Sequence, residues 1–116
     1  MSDELSLSEV FSHDGVKAFG QALRFALREN DDYASLVELE YVERKEDLAE
    51  ILKKFLRRYE THARRREREN KPTFRPTTTD LESLMALADA PNIGVRPIRA
   101  AIIAHALVKP PKEKTK

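Results

Sequence analysis

The stretch Leu48-Ala49-Glu50-Ile51-Leu52-Lys53-Lys54-Phe55-Leu56-Arg57-Arg58-Tyr59 carries apolar side chains at i, i+3, i+4, i+7, i+8 and i+11. At 3.6 residues per turn those positions share one side of a helix, the stripe by which an amphipathic helix lies on a core. The spacing predicts a helix over 44–69, the third of five. The stripe ends at Tyr59, but Thr61-His62-Ala63-Arg64-Arg65-Arg66-Glu67-Arg68-Glu69 holds no Gly or Pro to stop the helix, which is expected to project past the core or fray.

The other elements follow outward from this one. Asp14 is placed as the N-cap of a first helix over 15–29, with Val16, Phe19, Leu23, Ala26 and Leu27 on its buried side and Gly20 leaving room for a close neighbour. Asn30-Asp31-Asp32 breaks it and caps a short helix over 33–42, with Tyr33, Leu36, Val37 and Tyr41 on one side. Before the first helix, residues 1–12 are weakly patterned; Leu5, Leu7, Val10 and Phe11 are expected to form a turn or two docked on the core. After the third, Asn70-Lys71-Pro72-Thr73-Phe74-Arg75-Pro76 reads as an extended, mobile connection, since each Pro disfavours helix in the residue before it.

Thr79-Asp80-Leu81-Glu82 has the form of a capping box and opens the fourth helix, whose buried side is Leu81, Leu84, Met85 and Ala88. Ala90-Pro91-Asn92-Ile93-Gly94 is a turn. Pro97 suits the first turn of a fifth helix that is apolar on nearly every side, from Ile98 through Ala101, Ile102, His105 and Leu107 to Val108, and is expected at the centre. The expected architecture is therefore an all-α bundle, one helical domain over 1–108 with a flexible basic tail over 109–116.

Composition narrows the chemistry. The chain has 116 residues, no Cys and three Gly, with 35% of residues charged. Without Cys there is no disulfide, thiol nucleophile or cysteine metal site, and His13, His62 and His105 lack metal-ligand spacing. No glycine-rich phosphate cradle exists. Asp31 with Asp32, and Asp80 with Glu82, read as helix-start residues rather than acid–base pairs, and His105 as a buried, hydrogen-bonded side chain. No enzymatic activity, cofactor or small-molecule substrate is expected. No run approaches the roughly 18 apolar residues of a membrane span, and Met1-Ser2-Asp3-Glu4 lacks a signal-peptide pattern, so a cytoplasmic protein is expected.

Charge is unevenly placed. Residues 1–43 hold three basic and ten acidic side chains, residues 44–75 twelve and six, and residues 76–116 six and four. An acidic face beside a basic one suits a subunit that stacks on its own copies, and the basic part alone suits an acidic polymer. An ion-pair-rich surface of a heat-adapted protein explains the same composition.

The basic residues of the third helix are ordered around it. At about 100° per residue from Leu48, Lys53, Arg57, Arg64 and Arg68 fall between about 140° and 200°, and Lys54, Arg58 and Arg65 between about 240° and 280°. Glu60 and Glu67 lie outside that arc, so cations line one side of a rod roughly 22 Å long. Such a ladder would hold a nucleic-acid backbone by charge without reading sequence, and Arg, five of the seven, matches phosphate with its fork. The competing reading is a solvated face carrying i,i+4 pairs such as Glu60 with Arg64. Lys71 and Arg75 on the loop extend the candidate site, and Phe74 between them either stacks on a base or folds back to plug the core. A helix-turn-helix at residues 79–107 is disfavoured, because Ala100-Ala101-Ile102-Ile103-Ala104 offers a groove almost no polar side chain; Arg96 and Arg99 alone would touch a backbone. Tyr33 and Tyr41 are assigned to core packing, with a partner interface as the alternative.

The series Ala18-Phe19-Gly20 to Leu27, Asp32-Tyr33 to Leu39, Lys45-Glu46-Asp47-Leu48 through Arg57-Arg58-Tyr59, and Thr79-Asp80-Leu81-Glu82-Ser83-Leu84 before an apolar last helix resembles the small subunit of archaeal type I-A CRISPR effector (Cascade) complexes. The resemblance covers residues 16 to about 107 and rests on helix order, size and local words. It implies a non-enzymatic helical subunit present in several copies, bound to other effector subunits and to copies of itself, contacting guide RNA and target DNA or the displaced strand. Only the basic face carries over, onto Lys53, Arg57, Arg58, Arg64, Arg65 and Arg68. The acidic first third departs from this pattern and would face other subunits or outward. The rival expectations are a helical protein–protein adaptor and a free-standing DNA-binding regulator.

Overall fold

Helices dominate because the apolar residues recur at helical spacing between strong stop signals. A computed structural model describes residues 7–30, 33–90 and 93–107; Leu5, the Asp31-Asp32 break, Pro91-Asn92, Val108 and the tail over 109–116 lie outside the described residues. The described residues form an all-α fold of six helices: α1 (Leu7–Phe11), α2 (Asp14–Asn30), α3 (Tyr33–Tyr41), α4 (Lys45–Arg68), α5 (Thr78–Ala88) and α6 (Val95–Leu107). Five correspond to the predicted helices, and α1 is the turn expected at the N-terminal end, with Val10 buried in the core.

The hub is α2 rather than the last helix. It packs against each of the other five, whereas α6 packs against α1, α2 and α3 and leaves Leu107 exposed. Small residues explain this: Ala18, Ala22 and Ala26 are buried on α2 beside Val16, Phe19 and Leu23, and its two glycines admit neighbouring backbones. At Gly15 an added Cβ would sit 2.7 Å from the Asp80 carbonyl oxygen of α5, and at Gly20 it would overlap the Cβ of His105 on α6.

Two caps differ from expectation. The helix over 14–30 begins at Asp14 itself, and its cap is the imidazole before it: His13 Nδ1 accepts from the Gly15 amide at 3.1 Å. In α5 the box lies two residues earlier than predicted. Thr77 Oγ1 accepts from the Asp80 amide at 3.1 Å, and Asp80 Oδ2 accepts from the Thr77 amide at 2.8 Å, while Thr79 is an exposed first-turn residue. Among three consecutive threonines the sequence pattern chose Glu82 as the returning acid, but Asp80 is equally spaced from Thr77. Thr77→Ala should therefore lower unfolding stability by about 1 kcal/mol, and Thr79→Ala by under about 0.5 kcal/mol, in urea denaturation.

The third element of the fold is turned over relative to expectation. Ser35 and Leu39 of α3 are buried with Val42 just beyond, whereas Tyr33, Val37 and Tyr41 are exposed and Leu36 is half-buried. Both sets are helical stripes; Arg58 of α4, which donates to the Ser35 hydroxyl, fixes the one that turns inward.

The stripe of α4 does not end at Tyr59. His62 and Ala63 are also buried, Phe55 and Tyr59 stack at 5.3 Å, and Tyr59 meets the His62 ring at 5.6 Å. The helix therefore stays on the core for another turn. It stops without Gly or Pro: Asn70 takes a left-handed conformation (φ 60°), the Asn70 amide donates to Glu67 O at 3.0 Å and the Lys71 amide to Arg66 O at 2.9 Å. This is a Schellman stop, in which Asn replaces the usual Gly. The connection that follows is without helix, as expected, and folds back onto the end of α4. Arg66 Nε donates to Pro72 O at 2.8 Å, and Phe74 packs half-buried against the core.

Candidate nucleic-acid interface

Because Leu48, Leu52, Phe55, Tyr59, His62 and Ala63 point inward, the face of α4 bearing Lys53, Arg57, Arg64 and Arg68 points directly away from the core. All four are exposed. Lys53, Arg57 and Arg68 have no hydrogen-bond or ion-pair partner among the described residues, leaving three open charges along roughly 22 Å of helix. Arg64 is engaged: its Nε donates to Glu60 Oε2 at 2.8 Å, the i,i+4 pair of the competing reading.

The second predicted arc does not join the first. Lys54 Nζ lies 3.5 Å from Glu38 Oε2 of α3, Arg58 donates to Ser35, and an Arg65 guanidinium nitrogen lies 3.4 Å from His62 Nδ1. The first two tie α4 to α3, while the third lies within α4 itself, three residues apart. On the loop, Lys71 Nζ lies 2.9 Å from Glu69, and Arg75 reaches Glu67 at 3.1 Å and Glu60 at 3.4 Å. The nine predicted site residues thus separate into three open cations, four held by carboxylates and two held by Ser35 and His62. Arg96 pairs with Glu43 at 3.0 Å, and Arg99 donates to the Val42 carbonyl, so both tie α6 to the connection between α3 and α4.

Charge pairing is visible in the acids. The Lys71 hydrogen bond, reinforced by its charge, holds the Glu69 carboxyl below the usual range, and Arg44 does the same for Asp47. For a carboxylate depressed in the folded state, the contribution is present at neutral pH and fades as pH falls through the depressed value. A carboxyl-carbon NMR titration should place the Glu69 midpoint below the ordinary glutamate value, and Lys71→Met should raise it toward that value, with Arg65 and Arg66 still lowering it slightly. An unchanged midpoint in Lys71→Met would mean that Lys71 is free in solution.

One Ser–His pair was not foreseen. His13 lies 3.2 Å from Ser83 Oγ through Nε2. Its Nδ1 already accepts from the Gly15 amide, so the neutral ring carries its proton on Nε2 and donates to the serine. A general base would need the opposite tautomer. The pair is a clamp between the start of α2 and α5. His105, half-buried rather than buried, donates through Nε2 to Phe11 O at 2.6 Å and stacks on the Phe11 ring at 4.0 Å. Among the described residues no three His, Asp or Glu side chains are grouped to hold a metal ion, and no helix is long and apolar enough to cross a membrane.

No family model matches the chain, and no solved structure matches it. A protein from Archaeoglobus fulgidus, described as uncharacterized, is 56% identical over 110 residues, which span 95% of this chain and 89% of that protein.

Proposed function

The chain belongs to the family of the Archaeoglobus fulgidus protein, and we propose that it is a non-enzymatic helical subunit that holds a nucleic-acid backbone by charge, without reading sequence. The observation that carries this reading is the open set Lys53, Arg57 and Arg68 on the outward face of α4. A rigid helix presenting three uncompensated cations costs self-repulsion in isolation and gains counterion release on a phosphate chain. The assembly that the sequence resembles is a cytoplasmic RNA-guided CRISPR effector complex. In it, base pairing would supply recognition, while this face would meet the guide–target heteroduplex or the displaced strand. The CRISPR assignment rests on that resemblance alone.

The test is a titration of two unrelated RNA–DNA heteroduplexes and two unrelated single strands at several salt concentrations. Affinity should fall linearly in log salt with a slope of about 2 to 3, as three phosphate contacts require, and with no preference between sequences. Absence of binding, or preference for one sequence, would overturn the reading. Tagged protein recovered from its own host should bring CRISPR proteins and short repeat-flanked RNAs. Recovery with one unrelated acidic protein and no nucleic acid would make α4 a protein-docking face instead.

A further inference from the structure

Tyr33, Val37 and Tyr41 are 54%, 50% and 74% exposed, and they follow one another at i, i+4 and i+8 along about 12 Å of α3. Three large apolar side chains in line on one short helix are a face, not scattered exposure. At the Tyr41 end the stripe runs into an open groove between α3 and α4, lined by Val42 and Ile51, by the carboxylates of Glu38, Asp47 and Glu50, and by one cation, Lys54.

The charge around this face is balanced from within only in part: Arg44 holds Asp47 at 3.0 Å. Glu50, and Glu40 beside Tyr41, have no partner among the described residues. Glu38 is divided: Oε2 lies 3.5 Å from Lys54 Nζ, while the buried Oε1 has no hydrogen-bond donor. A buried carboxylate oxygen without a donor is costly, and a cation entering the groove would supply one after a small side-chain rotation.

We propose that this face receives a basic amphipathic helix of a partner protein. The helix would lay apolar side chains on Tyr33, Val37 and Tyr41, and set a Lys or Arg in the groove against Glu38 and Glu50, with the Tyr41 ring beside it for a cation–π contact. The flanking carboxylates repel phosphate, which sets this surface apart from the α4 ladder. A second copy fits less well. The open cations of its α4, Lys53, Arg57 and Arg68, stand on a face whose outward positions carry no exposed large apolar side chain, so that helix would answer the charge and leave the stripe uncovered.

The chain contains no Trp, so a synthetic 14-residue Leu/Lys amphipathic helix carrying one Trp reports its own binding by fluorescence. The full chain should bind this peptide at least about tenfold more tightly than the matching Leu/Glu peptide. The double variant Val37→Glu, Tyr41→Glu should weaken binding by about tenfold or more with an unchanged thermal unfolding midpoint, both positions being exposed. The ladder variant Lys53→Glu, Arg57→Glu, Arg68→Glu should bind the peptide at least as well as the native chain, so failure of the α4 reading is seen separately. Equal binding of both peptides, or retention by the Val37/Tyr41 variant, would overturn the proposal. So would a self-associated native chain that the same variant renders monomeric in sedimentation, which would make a second copy the occupant. Loss of oligonucleotide binding in that variant would assign the face to nucleic acid and equally overturn it.

Discussion

Gly20→Ala should destabilise the protein by about 2 kcal/mol, and Gly20→Val by about 3 kcal/mol or more, although both residues are better side chains for an isolated helix surface than Gly or nearly equal to it. The helix propensity gained by Ala is at most about 1 kcal/mol. Against it stands the α2–α6 crossing: a Cβ at position 20 would overlap the His105 Cβ and come within 3.1 Å of the Ile102 carbonyl oxygen. Neither neighbour gives way easily. Ile102 is fully buried, and His105 is held from the other side by its hydrogen bond to Phe11 O and its stack on the Phe11 ring. Relief therefore requires α6 to move off α2, opening a gap along Phe19, Leu23 and Ile98, and close-packed interiors resist that. For a chain of this size the thermal midpoint should fall by roughly 10 °C. Gly94→Ala is the contrasting case. Nothing lies within 4 Å of its added Cβ, so only the φ of 73° opposes it, at about 1 kcal/mol. If the clash is the cause, Gly20→Ala should cost markedly less in a His105→Gly background. An equal cost in both backgrounds would show that the two positions do not meet.

The same crossing shows what the sequence makes legible. Gly20 stood out as a gap for a close neighbour, because a Gly inside an apolar helical stripe has few other reasons to be there. Which neighbour it admits depends on tertiary packing. The α4 stripe was legible from Leu48 to Tyr59, since six apolar positions on one side leave a helix no other way to lie. Its extension through His62 and Ala63 was not, because a small residue and an imidazole carry little hydropathy whether buried or exposed. On α3 the periodicity supports two stripes, Tyr33–Val37–Tyr41 and Ser35–Leu39–Val42, and the large aromatic area of the two tyrosines favours the first. The second is buried because Arg58 reaches the Ser35 hydroxyl, a contact across 23 residues that no local pattern contains. The end of α4 at Glu69 was legible from the prolines that follow it, but its device, Asn70, was not: Asn adopts the left-handed conformation less freely than Gly, and only the chain folding back through Lys71 and Pro72 selects it. For the candidate interface, the wheel gave the angles of the cations correctly and their partners incompletely. Pairing of Lys54, Arg58, Lys71 and Arg75 depends on where α3 and the returning loop sit.

That division of the cations leads to the largest functional effect. Lys53→Glu, Arg57→Glu, Arg68→Glu together should weaken heteroduplex binding by about 10² to 10³ at 0.1 M salt and reduce the salt slope by about 3, because three counterion-releasing contacts disappear. Stability should hardly change, since none of the three has an intramolecular partner among the described residues. Reversing Lys54, Arg58 and Arg65 carries the same change in net charge with the opposite result. Affinity should fall much less, while stability should drop as the Glu38, Ser35 and His62 contacts are lost. Equal loss of affinity in the two triples would mean that net charge, rather than the outward face, sets binding. Glu60 supplies a gain-of-affinity arm. It holds Arg64 at 2.8 Å and Arg75 at 3.4 Å, so Glu60→Gln frees Arg64 at the edge of the ladder and leaves Arg75 on Glu67 alone. If phosphate competes with Glu60 for these groups, the variant should bind more tightly and with a steeper salt slope. An unchanged slope would confine the interface to Lys53, Arg57 and Arg68.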